Sequence, residues 1–150
     1  MTPTNFPDYP LLDLALAEFL AGVGVCQNPY KVQQNMEATP AVFLNWMPDS
    51  PPLAMMLAVS ADNRMVDDVN PRVTVNIAVR GGVEDALRPR NVHARIFELL
   101  HNSGRLRLTA DQEILDCRRT AKGVQVLDSN RRWVRVDSYT IMPLNNVPKG

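Results

Sequence analysis

Four groups of residues have types that can do chemistry: Gly81-Gly82 followed by Glu84-Asp85, the adjacent carboxylates Asp67-Asp68, the pair His93 and His101, and the cysteines Cys26 and Cys117. A double glycine after the alternating stretch VNPRVTVNIAVR resembles the start of a phosphate-binding loop. Such a loop needs successive backbone N–H groups aimed at one anion, normally with a lysine and a hydroxyl. Here Val83, Glu84, Asp85 and Ala86 follow, with no G-x-x-x-x-G-K-[ST] and no G-x-G-x-x-G. Two carboxylates at a helix start stand where the phosphate would bind and repel it. The glycines therefore read as a tight strand-to-helix corner, and the acids as partners of the helix dipole.

The other groups carry less. Asp67-Asp68 has no partner motif for acid–base work. His93 and His101 lack neighbouring cysteines or carboxylates at metal-ligand spacing. Cys26 and Cys117 have no C-x-x-C spacing and read as reduced thiols. Neither G-x-S-x-G nor H-E-x-x-H occurs. The expectation is no catalytic residue, no cofactor and no metal.

The elements that position these residues follow from periodicity. Pro10 opens a helix, in which Leu12, Leu16, Phe19 and Leu20 share one face. Strands are expected at 41–47, 53–60 and 72–80, the last two as a long antiparallel hairpin around an acidic loop. Segment 53–60 is apolar on both parities, as in a central strand. In 72–80, Val73, Val75, Ile77 and Val79 face a core, while Thr74, Asn76, Ala78 and Arg80 face away. A helix follows the glycines, with Val92, Ile96, Leu99 and Leu100 on one face. Pro89 either kinks it or splits off its first turn. Strands at 105–109, 113–120, 123–128 and 131–142 complete the chain, the last pair joined at Asp128-Ser129-Asn130. The fold class is α+β: a mostly antiparallel sheet of four to six strands with two helices packed on one face. One domain spans 10–143, between a flexible arm at 1–9 and a loose tail at 144–150.

Lys+Arg and Asp+Glu both total 16. The balance is uneven along the chain: residues 1–70 hold two basic and eight acidic groups, residues 71–150 fourteen basic and eight acidic. Of the sixteen basic residues only Lys31, Lys122 and Lys149 are lysines, and an arginine excess favours carboxylate pairing at interfaces over simple solvation. The basic residues are too scattered for sequence-specific nucleic-acid binding. The first ten residues carry no Lys or Arg, unlike a signal peptide. The longest apolar run, PPLAMMLAV, is far short of the roughly 20 residues that span a bilayer. A soluble protein of a reducing compartment, without a membrane, is expected.

The order of elements and several phrases resemble one family: PRVTVNIAVRGG, ARIFELLHNSG and GVQVLDSNRRWVRVDSYTIMP. Together with the N-terminal amphipathic helix, these are similar to the minor capsid/tail terminator proteins of long-tailed bacteriophages. The matching positions are Val79-Arg80-Gly81, Glu84-Asp85-Ala86, Leu99-Leu100-His101 and Asp128 to Arg132. The resemblance implies a structural virion protein, made in the bacterial host cytoplasm and placed at the tail top or neck. It would form a homohexameric ring that ends the tail tube and joins it to the head–neck connector or stopper. Its partners would be itself, the major tail tube protein, that connector, and double-stranded DNA passing without sequence readout. On this reading Thr74, Asn76, Arg80, Arg131 and Arg132 are candidates for subunit contacts or the channel. Asp62, Asp67 and Asp68 are candidates for contact with the tube or a neighbour. A head-completion or neck ring protein of the same particle, or an unrelated small binding module, are the alternatives.

Overall fold

The computed structural model describes residues 12–31, 39–67 and 69–144. The arm at 1–9, Pro10, Asp68 and residues 145–150 of the expected tail lie outside the described residues. Two helices and seven strands follow in the order α1 (Leu12–Gly22), β1 (Ala41–Leu44), β2 (Ala54–Asp62), β3 (Val73–Val83), α2 (Leu87–Leu100), β4 (Leu106–Thr109), β5 (Gln112–Ala121), β6 (Val126–Leu127) and β7 (Arg132–Leu144). The class is α+β, as the periodicities predict.

The strands form one mixed sheet in the order β1-β2-β3-β7-β5-β4, with β6 paired to β7 beyond the end of β5. Every pairing is antiparallel except β1 with β2, which run parallel from Ala41↔Ala54 to Leu44↔Leu57. The β2–β3 hairpin is present, with Leu57 opposite Ile77. The centre of the sheet is the β3–β7 pair rather than β2, running from Val73↔Ile141 to Val83↔Arg132. β2 is apolar on both parities because it is flanked on both sides by β1 and β3, one strand away from the centre. β1 is shorter than its apolar run: Asn45 turns the chain at φ 70, in the left-handed region that Asn tolerates. β6 is only two residues long, where the sequence reads six.

Alternation on β3 sets the two sides of the sheet. Val73, Val75, Ile77 and Val79 are fully buried, with Met55 and Leu57 beside them on β2 and Tyr139 and Ile141 on β7. Against that side α1 packs Leu12, Leu16 and Leu20. α2 packs Ile96 and Leu100. Each buried aliphatic side chain of this kind contributes roughly 1.5–3 kcal/mol. The opposite side carries Thr74, Asn76, Ala78 and Arg80.

The corner after β3 differs from the sequence reading. Gly81 and Gly82 lie within the strand, and neither makes the turn. Glu84 makes it, at φ 57, with its N–H donated to the Arg131 carbonyl at 2.8 Å. Gly81 is required for another reason: a Cβ there would stand 2.6 Å from the Asp85 carbonyl oxygen and 3.0 Å from Pro89 Cδ. α2 therefore starts almost on top of the strand it leaves. Pro89 falls in the first turn of α2, where its missing N–H has no helical partner to lose, so there is no kink. Asp85 does serve the helix start, its Oδ1 accepting from Arg88 N at 3.1 Å. Glu84 instead pairs with Arg131.

Gly81→Ala is expected to cost about 1–3 kcal/mol through this overlap. Gly82→Ala, with nothing within 4 Å of the added carbon, should be neutral or stabilising by a few tenths to about 1 kcal/mol. Chemical denaturation of the two variants checks the contrast.

Candidate assembly surfaces

Beneath α2 the otherwise apolar side of the sheet holds a buried ionic cluster. Asp137 and His93 are fully buried, and Arg135 nearly so. The Asp137 carboxylate accepts from Arg135 Nε at 2.9 Å and Nη2 at 2.7 Å, and from Gly123 N at 2.9 Å. Arg119 Nη1 lies 3.5 Å away, and its guanidinium carbon sits 4.1 Å over the Phe97 ring. Burial works against the charge on Asp137, but the Arg135 and Gly123 hydrogen bonds outweigh it and hold the carboxyl below its usual range. His93 donates from Nε2 to the Arg135 carbonyl at 2.8 Å, which leaves Nδ1 facing Asp137 Oδ2 at 3.4 Å. Burial lowers the His93 pKa most; the Arg135 carbonyl and Asp137 oppose it, and the Arg135 and Arg119 charges add to it. Neither histidine is free for catalysis: His101 stacks on Phe97 with centroids 4.4 Å apart and accepts from Arg119 N at 3.0 Å. Burial pushes the Cys26 and Cys117 thiols up to about 12, so neither supplies a thiolate near neutral pH. Among the described residues, no three of His, Cys, Asp and Glu converge on a point where a metal could sit.

Among the described residues no helix lies on the other side of the sheet, which is lined by hydroxyls and amides. Thr74 Oγ1 lies 3.3 Å from Thr140 Oγ1, which lies 3.2 Å from Thr120 Oγ1. Ser138 Oγ donates to Asn76 Oδ1 at 2.7 Å. β3, β7 and β5 are thus tied by side chains as well as backbone, and Arg72, Asp116, Arg118 and Met142 border a shallow depression beside them.

At its other end this face is roofed, and there two candidates change character. Arg80 and Arg132 are expected at the surface, but they are 4% and 7% exposed. Arg80 donates to the carbonyls of Pro52 at 2.8 Å, Pro48 at 2.7 Å and Pro51 at 2.8 Å. Arg132 pairs with Asp128 at 3.0 Å and reaches Asp49, donating to its carbonyl at 2.9 Å. Together they hold the β1–β2 connection over the sheet. Arg80 does point away from the core; a loop from earlier in the chain covers it. Arg131 stays exposed, paired with Glu84 across the corner.

The arginine excess is accounted for within one copy to a large extent. Arg64 pairs with Asp62, Arg105 and Arg107 with Glu113, Arg118 with Asp116, and Arg119 and Arg135 with Asp137. The preference for arginine over lysine therefore does not by itself mark an interface.

In the β2–β3 connection, Asp62 makes a two-point pair with Arg64, Nε to Oδ1 at 3.0 Å and Nη2 to Oδ2 at 2.6 Å. Burial raises the Asp62 pKa, but the Arg64 bonds overcome it and the net shift is downward. Asp67 Oδ1 accepts from Val69 N at 3.1 Å and Asn70 N at 2.9 Å, so it shapes the loop. The sequence reading missed two things here. One is the His93–Asp137–Arg135 cluster, whose only sequence signal was His93 at i, i+3, i+7 with Ile96 and Leu100. The other is that the tip of this acidic loop is apolar: Val66 and Val69 are 92% and 90% exposed.

A family model described as bacteriophage tail terminator protein matches residues 22–142, from the end of α1 to near the end of β7. No curated protein matches the chain.

Asp137→Asn should destabilise the protein by about 3–5 kcal/mol, because it leaves buried guanidinium charge without its carboxylate. Equilibrium unfolding in urea measures it. The cluster also fixes an acid sensitivity. With the folded His93 pKa below 6.5, the unfolded chain binds more protons as pH falls through that value, so stability is full above it and declines below. Asp137, lowered from 3.8, adds a second loss at more acidic pH. His93→Gln should flatten the first decline and leave the second, as read from unfolding free energies across that range.

Proposed function

Because the chain belongs to the bacteriophage tail terminator family, a family of structural virion components that associate with other parts of the phage tail and head, we propose that it closes the tail tube at its full length and joins it to the head–neck connector. The match over residues 22–142 carries this reading, since it takes in α2, β1 to β6 and β7 up to Met142. In the proposed assembly six copies form a ring at the top of the tail. Double-stranded DNA passes through it without base readout, and the protein's role is contact rather than catalysis.

The two-sided sheet supports this. α1 and α2 cover one side, and the hydroxyl-lined side is left for a neighbour or the channel, with Thr74 and Asn76 on it. Arg131 at the corner and the loop bearing Asp62, Asp67 and Asp68 are contact candidates at opposite ends of β3. Arg80 and Arg132 act through the 45–53 loop that they hold.

The test is tail morphology in a phage lacking this gene. Without a terminator, tubes should lose their uniform length and carry no heads, and the purified protein supplied during assembly should restore both. Negative-stain length distributions read the outcome. Tubes of normal, uniform length that merely lack heads would instead indicate a neck ring protein.

A further inference from the structure

The described residues of the β2–β3 connection are tied by internal hydrogen bonds and place apolar side chains in water. Asn63 is its hub. Its carbonyl accepts from Val66 N at 2.9 Å and Asp67 N at 2.8 Å, and its side chain accepts from Arg72 N at 2.5 Å and donates to the Asn70 carbonyl at 3.2 Å. With Asp67 accepting from the amides of Val69 and Asn70, this network holds Met65, Val66 and Val69 outward, at 46%, 92% and 90% exposure. A loop shaped by this many internal bonds has little ordering entropy left to lose on docking.

A second apolar surface lies at the other end of β3. Val83, Leu87, Val124 and Val126 are all exposed. The β6 segment is drawn to the start of α2 by Gln125, whose Nε2 donates to the Ala86 carbonyl at 2.8 Å. Among the described residues β6 is hydrogen-bonded only to β7. Scattered exposed valines need no explanation, but these four, gathered where β6 meets the start of α2 beside a strand edge that no described residue pairs, mark a contact surface. The charges match. By sequence, residues 62–68 hold three acidic groups and one basic, whereas around the second surface five basic groups (Arg88, Arg90, Lys122, Arg131 and Arg132) stand against four acidic ones (Glu84, Asp85, Asp128 and the Asp49 that Arg132 reaches).

The two surfaces stand at opposite ends of an 11-residue strand, about 33 Å apart at ~3.3 Å per residue, so one copy cannot cover its own. We propose that the Met65-Val66-Val69 tip of one copy seats on the Val83/Leu87/Val124/Val126 surface of the next, head to tail. This contact is heterologous: repeated with rotation it closes a ring, without closure it gives a filament. It rests on the ring reading above and names the surfaces that would build the ring.

The test uses cross-linking and mixing. In Val66→Cys/Val126→Cys protein, with Cys26 and Cys117 buried, a short bis-maleimide should give a ladder of covalent oligomers, in purified protein or in assembled tails. Absence of the ladder from both overturns the proposal. Val66→Asp/Val69→Asp and Val124→Asp/Val126→Asp should each weaken self-association at least tenfold by native mass. An unchanged melting temperature separates this from misfolding. Mixed together, the two variants retain one working tip and one working surface and should stop at a dimer. Wild-type association by either variant, or a normal ring that fails only to bind the tube end, would show that the tip meets something other than a second copy. Failure of the terminator reading would look different: cross-linked oligomers would form, yet tail lengths would not depend on the protein.

Discussion

One buried carboxylate ties the parts of this protein together. Asp137 lies in the central strand β7, and its partners come from four places: Arg135 on the same strand, Arg119 on β5, His93 on α2, and the backbone of Gly123 in the segment leading to β6. A carboxylate without water needs the Arg135, Arg119 and Gly123 donors, because desolvation of an unpaired charge costs several kcal/mol. The requirement fixes several things at once. α2 must cross over β7 with His93 downward. Arg119 must lie flat, between Asp137 and the Phe97 ring. The 122–125 segment must come close enough for its amide to reach the carboxylate, so close that a Cβ on Gly123 would stand 1.9 Å from the Val136 carbonyl oxygen. The position of β6, and with it the exposed valines around it, follows from that approach.

Local signals in the sequence were sufficient for the elements that depend on local rules. The alternation in 73–79 was readable because one face of β3 is wholly apolar, and the heptad-like spacing in α1 because its buried face is aliphatic. What could not be read depends on partners far along the chain. Arg80 was rightly placed on the face opposite the core, but its burial comes from carbonyls at positions 48, 51 and 52, about thirty residues earlier. His93 looked like an idle histidine because its partner Asp137 is 44 positions away. The 62–70 loop looked simply acidic, since charge is visible in a sequence and the outward fixing of Val66 and Val69 by Asn63 is not. The corner misled for a subtler reason. Two glycines suggest a turn, yet here one of them makes room for a helix and a glutamate supplies the left-handed residue.

The arginines show how pairing within a copy reshapes an electrostatic argument. Along the sequence the first half is formally acidic and the second half basic. In the fold, Arg132 reaches Asp49 and Asp128, and Arg80 lies against carbonyls of the acidic half, so part of the asymmetry is discharged internally. Other pairs, such as Arg118 with Asp116 and Arg105 and Arg107 with Glu113, neutralise charge within the basic half itself. What remains for contact is a smaller, more localised imbalance at the two ends of β3.

That internal neutralisation bears on how DNA would move if this side of the sheet lined the proposed channel. Free guanidiniums along a passage would bind phosphates one by one, and each contact releases counterions and tightens binding in low salt. The helix-free side of this sheet presents Thr74, Thr120, Thr140, Asn76 and Ser138, already bonded to one another, with Arg118 held by Asp116 beside them. Hydroxyls satisfied in this way offer a wettable surface with little long-range field. If this side faces the channel, it keeps DNA hydrated without holding it. If it faces a neighbour, the same side-chain bonds give a pre-formed surface that needs little ordering on contact. In both cases the hydroxyl ladder works because β7, held by Asp137 on its other side, keeps these residues in register.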